Sequence, residues 1–237
     1  YLDILIENAK KAKENRIVIC QDTGVPTFFV KTSLSFPFTG DIRAEFDGAL
    51  RDLTKKEFPM RPMVVHPLTR KDRGDNTAAN VPLIHVELDN SIDYMEIKAM
   101  PKGAGCGTWS TLQIFPPHVG IEGVKKFVVD SVLRAGSNPC PPLIVGVGIG
   151  GPLEEVARLA TEATARPIDQ RHPEADIAQL EEELRAALNM SQIGPMGMGG
   201  DTTALAVNIE YSGTHRPWMP VAVNISCHVT RRASREV

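Results

Sequence analysis

The 237-residue sequence is 42% hydrophobic and 23% charged, with a formal net charge of −3, which excludes intrinsic disorder and a disulfide-stapled miniprotein and leaves no basis for broad nucleic-acid binding. No apolar run approaches the ~18 residues a membrane span needs, so a soluble chain without a membrane partner is expected. Four scattered cysteines, Cys20, Cys106, Cys140 and Cys227, form no Cys-x-x-Cys pair and no secretory signal is visible, which points to a reducing, cytoplasmic setting. Because the sequence begins at Tyr1 rather than Met, an N-terminal segment could precede it.

Leu2, Leu5, Ile6, Ala9 and Ala12 recur at helical spacing and predict an amphipathic helix over residues 1–14, feeding a short strand at 17–20. Residues 28–32 read as a second strand. Thr39-Gly40-Asp41 then supplies a turn and an N-cap for a helix carrying Ile42, Phe46, Leu50 and Leu53 on one face and ended by Pro59 and Pro62. The polar, prolyl stretch 61–79 is too ionic for a mere connector and is expected to be a binding loop or disordered. Two strands, 83–88 and 94–99, predict a hairpin-like pair across Asp89-Asn90.

The glycine-rich stretch 102–107 is expected to lie outside any element. A helix over 121–135, closed by Gly136, is followed by an apolar strand at 143–147, a glycine turn, and a helix through Val156 and Ala160. A further helix spans 174–189, with Glu181-Glu182-Glu183 as a solvated face. Strands at 204–210 and 221–226 close the chain, the second running into Cys227, and the arginine-rich tail 231–235 reads as a solvated terminus. The expected fold class is α/β, mixed sheets flanked by helices, in one domain over 1–237 with two lobes divided near residue 120.

The chemistry concentrates in a few places. Cys20-Gln21-Asp22-Thr23-Gly24 places a thiol, an amide and a carboxylate before a permissive turn. Three thiols at strand edges suit a metal centre, because thiolates are soft anionic ligands. A cubane iron–sulfur cluster on three cysteines leaves one iron without a protein ligand, and that iron can act as a Lewis acid. Zinc on three cysteines and His66 or His228 is the rival, although zinc ligands come in closer pairs. Residues 146–151 satisfy G-x-G-x-x-G with Asp169 beyond, the pattern of a nicotinamide-dependent oxidoreductase, yet Arg166-Pro167-Ile168-Asp169 is too short and prolyl for the strand that unit requires. A glycine turn facing a carboxylate at a helix start is the other reading of those glycines. A zinc-stabilised subunit without chemistry is a third class.

Five ordered motifs carry a resemblance: Cys20-Gln21-Asp22-Thr23-Gly24, Lys102-Gly103-Ala104-Gly105, Cys140-Pro141-Pro142 leading into the 146–151 glycines, Gly199-Gly200-Asp201-Thr202-Thr203-Ala204-Leu205, and Cys227. They are similar to the α region of class I fumarases and L-tartrate dehydratases, the oxygen-sensitive iron–sulfur hydro-lyases, from about residue 1 to 232. The resemblance implies a [4Fe-4S] cluster on Cys20, Cys140 and Cys227, and a substrate pocket lined by Gln21, Asp22, Arg61, Gly105 and His215. In it Arg61 and His215 bind carboxylates, and Asp22 exchanges a proton with the departing hydroxyl. It implies reversible hydration of a four-carbon dicarboxylate, fumarate to malate first and tartrate to oxaloacetate second, in the tricarboxylic acid cycle in the former case. Where the family commonly has Ser-Glu-Asn, this chain has Cys106-Gly107-Thr108, and Cys106 is taken as a non-ligand. Nothing in the chain resembles the family's β region, which contributes a threonine base, so a β subunit and a hetero-oligomer are expected.

Overall fold

The computed structural model describes residues 1–57 and 60–237. In chain order the elements are α1 (Leu2–Asn15), β1 (Val25–Thr32), α2 (Ile42–Asp52), β2 (Leu83–Leu88), β3 (Glu96–Lys102), α3 (Ala104–Gly107), β4 (Thr111–Phe115), α4 (Gly120–Ala135), β5 (Leu143–Ile149), α5 (Leu153–Ala163), α6 (Ala175–Asn189), β6 (Ala204–Tyr211), β7 (Met219–Ser226) and β8 (Ala233–Glu236). The chain divides into two compact units, Asp3–Ala104 with Val229–Val237, and Gly105–His228 with Tyr1–Leu2. Each contains a mixed sheet, so the α/β class is as expected.

In the first unit the sheet order is β2-β1-β3-β8. The apolar strand β1 takes the centre, parallel to β2 on one edge and antiparallel to β3 on the other. The expected β2–β3 hairpin is therefore absent: both strands compete for β1, which has the most to bury, with Phe29 and Val30 inside. The same competition removes the strand expected at 17–20. With both edges of β1 occupied, that stretch runs irregularly, and Ile17 is exposed. The tail is not simply solvated, because β8 pairs with β3 through backbone bonds while its side chains all face water, an arrangement that suits a charged edge strand. Helix α2 starts where expected: the Asp41 carboxylate accepts the Arg43 and Ala44 N–H groups at 2.9 and 3.1 Å. Its end is a π turn, Leu53–Glu57; Pro59, expected to stop it, lies outside the described residues. The stretch 102–107 is more regular than expected, Lys102 closing β3 and Ala104–Gly107 forming one helical turn.

In the second unit the order is β4-β7-β5-β6, with β5 parallel to β6 and antiparallel to β7. Strand β4, an edge strand, is not announced by the periodicity, nor are α3 and β8. Along β5 the side chains alternate: Val145 and Val147 pack into a core with Val128 and Val132 of α4 and Leu184 and Leu188 of α6. The intervening glycines face α5. A Cβ on Gly146 would stand 2.1 Å from the Ala160 carbonyl oxygen, and one on Gly148 2.2 Å from that of Val156. The glycine run thus lets helix and strand touch, which accounts for Gly146 and Gly148 without a nucleotide.

Glu181 overturns the expectation of a solvated acidic face. Its side chain is fully buried, 2.6 Å from Arg166, and its oxygens accept the backbone N–H of Ile209 and of His172. Arg166 also pairs with Glu210 at 2.6 Å, so α6 is locked to β6 through a paired charge, the condition under which a buried carboxylate is tolerated. Glu182 and Glu183 do face solvent.

Candidate active site

In the first unit, Cys20 is half-buried, Gln21 exposed and Asp22 half-buried, and the chain then dives inward at Thr23 and Gly24. Gly24 has φ +81°, and a Cβ there would lie 2.7 Å from the Lys102 carbonyl carbon, so the turn needs glycine both for its backbone and for its fit against the β3–α3 connection. The Asp22 carboxylate seals that contact. One oxygen accepts the Gly24 N–H at 3.0 Å and the other the Ala104 N–H at 2.9 Å. Two backbone donors hold the carboxyl in one orientation.

Arg61 is brought to the same place by its backbone. Its carbonyl accepts the Thr23 hydroxyl at 2.8 Å and the Asn76 amide at 3.4 Å, while its side chain is exposed. The 61–79 loop is ordered by a buried polar knot, Asp75-Asn76-Thr77. Asn76 accepts the Met63 N–H at 2.7 Å and its amide nitrogen lies 3.3 Å from the Thr54 hydroxyl. Burial pushes the Asp75 carboxyl up, but the Thr77 hydroxyl and amide, with Lys55 and Arg51, outweigh it and hold the group below the usual carboxylate range. The loop's ionic residues thus build a platform for Arg61.

Arg231 is a participant the periodicity missed. From the tail it donates to the carbonyls of Asp22 and Thr23 at 2.7 and 3.4 Å. The visible signal was a pair of arginines placed soon after the third motif cysteine.

In the second unit, strand register decides which residues meet. Ser226 pairs with Ile144 and Ala204 with Leu143, so Cys227 leaving β7, Cys140 entering β5 and the 194–203 glycine turn entering β6 share one end of the sheet. Bonds confirm the gathering: Met196 N–H to Pro141 O at 2.8 Å, Leu143 N–H to Thr203 O at 2.8 Å, and the His228 ring to Cys140 O at 3.0 Å. Cys140 itself sits at φ +56°. Gly105 is exposed on α3.

His215 lies elsewhere. It follows β6, whose Tyr211 pairs with Ile149, so it occupies the opposite end of this sheet, exposed and with its ring 6.0 Å from that of Trp218. At ~3.3 Å per residue, β5 alone separates the two ends by roughly 20 Å. The second unit brings Cys140 and Cys227 together and does not bring His215 to them.

None of the four cysteines forms a disulfide; Cys20, Cys140 and Cys227 are half-buried and only Cys106 is buried. That division separates the same three from the fourth as the motifs do, and partly accessible thiols suit a group that must be loaded and must meet substrate. Among the described residues no group of three or more His, Cys, Asp or Glu side chains is arranged to hold a metal ion. The zinc alternative fits less well, since the His66 Nδ1 accepts the Leu68 and Thr69 N–H groups at 3.2 and 3.1 Å and caps a turn. Among the described residues no helix is long and apolar enough to cross a membrane.

Comparison with known proteins decides the family. The profile described as fumarate hydratase (Fumerase) matches residues 1–236. The chain belongs to the fumarate hydratase (Fumerase) family. Members of this family of hydro-lyases include relatives that match along nearly the whole chain. A Methanocaldococcus jannaschii protein provisionally named L(+)-tartrate dehydratase subunit alpha is 43% identical over 239 residues, covering 100% of this chain and 84% of that protein. The L(+)-tartrate dehydratase subunit alpha of Escherichia coli K12 is 35% identical over 230 residues, covering 97% of this chain and 76% of its own length. That of E. coli UTI89 is 35% identical over 233 residues, covering 98% and 77%.

Proposed function

We propose that this chain is the alpha subunit of a two-subunit iron–sulfur hydro-lyase that removes water from L-tartrate, with fumarate and malate as the second substrate pair. The observation that carries the preference is the name shared by relatives 35–43% identical over at least 97% of the chain; the family description supports the second reading.

In this reading Cys20, Cys140 and Cys227 hold a [4Fe-4S] cluster, which when bound supplies a Lewis acid toward the substrate hydroxyl. The remaining work belongs to the protein. Dehydration breaks a C–O bond and the C–H bond on the neighbouring carbon, so a hydroxyl must leave as water and a proton must be taken. The Asp22 carboxyl is held by two backbone donors and gives the leaving oxygen its proton. Arg61 offers a guanidinium fork to one substrate carboxylate from a loop ordered by Asp75-Asn76-Thr77, Gln21 provides a neutral donor, and Gly105 lines the pocket. Pre-set donors of this kind count because they need no reorganisation during reaction. The base that takes the carbon-bound proton comes from a β subunit. His215 stands as a carboxylate ligand only if His215→Ala raises KM, and an unchanged KM removes it from the site.

The test is anaerobic purification of the chain with and without its β subunit, followed by assays on L-tartrate and fumarate. Brown protein with about four irons per chain, activity only in the complex, and faster turnover of tartrate are expected. Full activity of the isolated chain would defeat the half-site reading, and preference for fumarate would reverse the order of substrates. Arg61→Ala should lower kcat/KM by roughly 10²–10³-fold, the effect of losing a bidentate charge contact.

A further inference from the structure

We infer that His228 is a positioning residue that clamps the Cys140 turn, an inference resting on the assignment of Cys140 and Cys227 as cluster ligands. Cys140 has φ +56°, a left-handed conformation that is unfavourable for a residue with a side chain and persists only where its surroundings enforce it. Three contacts do so. The Cys140 N–H donates to Ser137 O at 3.1 Å, the next carbonyl, of Pro141, accepts the Met196 N–H at 2.8 Å, and the carbonyl of Cys140 itself meets the His228 Nδ1 at 3.0 Å.

Of these three, the last is made by the side chain of another turn. A carbonyl oxygen can accept but not donate, so Nδ1 must carry the proton, which fixes the ring's tautomer when neutral and its orientation. His228 directly follows Cys227, and β7 and β5 are paired neighbours at this end of the sheet. One ring therefore couples the two thiol-bearing turns. Releasing it removes this restraint on the Cys140 carbonyl, lets the backbone shift toward other conformations and loosens the direction of the thiol. Outer hydrogen bonds that orient ligands commonly change metal retention by one to two orders of magnitude.

The experiment uses the full chain as wild type, His228→Ala, His228→Asn and His228→Gln. The Asn amide can place an N–H where Nδ1 stands, whereas Gln reaches further, toward the Nε2 position. After anaerobic loading with iron and sulfide, iron content and the rate of bleaching in air are followed, and in metal-free protein the alkylation rate of Cys140 is read by mass spectrometry. His228→Ala should bleach about tenfold faster and alkylate Cys140 several-fold faster, with Asn restoring both and Gln neither. Circular dichroism checks folding; if the Ala variant does not fold, the Asn and Gln pair decides. Equal bleaching and equal alkylation in wild type and His228→Ala would overturn the clamp, as would failure of Asn to rescue. Wild type that takes up no iron defeats the cluster reading instead, and the alkylation rates then judge the clamp alone.

Discussion

Asp75 shows how one buried residue orders the loop that carries another residue. Its carboxylate binds the Thr77 N–H and hydroxyl at 3.0 and 2.7 Å and faces Arg51 and Lys55, ordering the loop that carries Arg61. Because the folded-state pKa is lowered, the bound protons are fewer in the folded than in the unfolded chain near pH 4. The stabilisation is complete above the unfolded carboxyl value of about 3.9 and is lost as pH falls through the folded value. Asp75→Asn should therefore be less stable than wild type at pH 7 and lose less on going to pH 3, as read from urea midpoints at the two pH values. At the thiols, the discriminating pair is Cys140→Ser and Cys106→Ser. The first should lose iron after anaerobic loading and the second should keep it, because Cys106 is buried within α3; iron loss in both would mean the ligand set is misassigned.

Among the elements, β5 and α5 are held closer than side chains permit. Gly148→Ala places a methyl 2.2 Å from a helix carbonyl, which the backbone can relieve only by separating the two, and should cost about 2–3 kcal/mol in denaturant unfolding. The helices of this layer were legible from the residues themselves, since Asp41 caps α2 and Gly136 ends α4 by local chemistry. Strand partners were not. Nothing local tells β2 and β3 that β1 will take the space between them, nor that exposed Arg235 will pair its backbone with Ile97. Glu181 was misread for the same reason, its partners Arg166 and the Ile209 amide lying 15 and 28 residues away. Of the candidate site, the motif residues could be named from the chain, but the supports Asn76 and Arg231 are ordinary in sequence and gain meaning only through contacts made at long range, and His228, read from the sequence only as a possible zinc ligand, shows its contact with Cys140 only in the fold.

At the scale of the whole molecule, the second unit draws almost all its residues from one continuous stretch, Gly105–His228, whereas the first interleaves Asp3–Ala104 with Val229–Val237. The first sheet is completed by β8 on β3, and the Asp22 turn by Arg231. Both contributions come from beyond the second unit.

That interleaving has a consequence during synthesis. Residues 3–104 leave the ribosome first, yet the edge of β3 stays open and the Asp22 carbonyl lacks its arginine until 229–237 have followed. The continuous unit, begun later, can close earlier. A nascent chain would thus hold its first motif cysteine in an unfinished fold while the other two were already seated, and an exposed strand edge over that interval is the point at which pairing with a neighbouring nascent chain competes with folding.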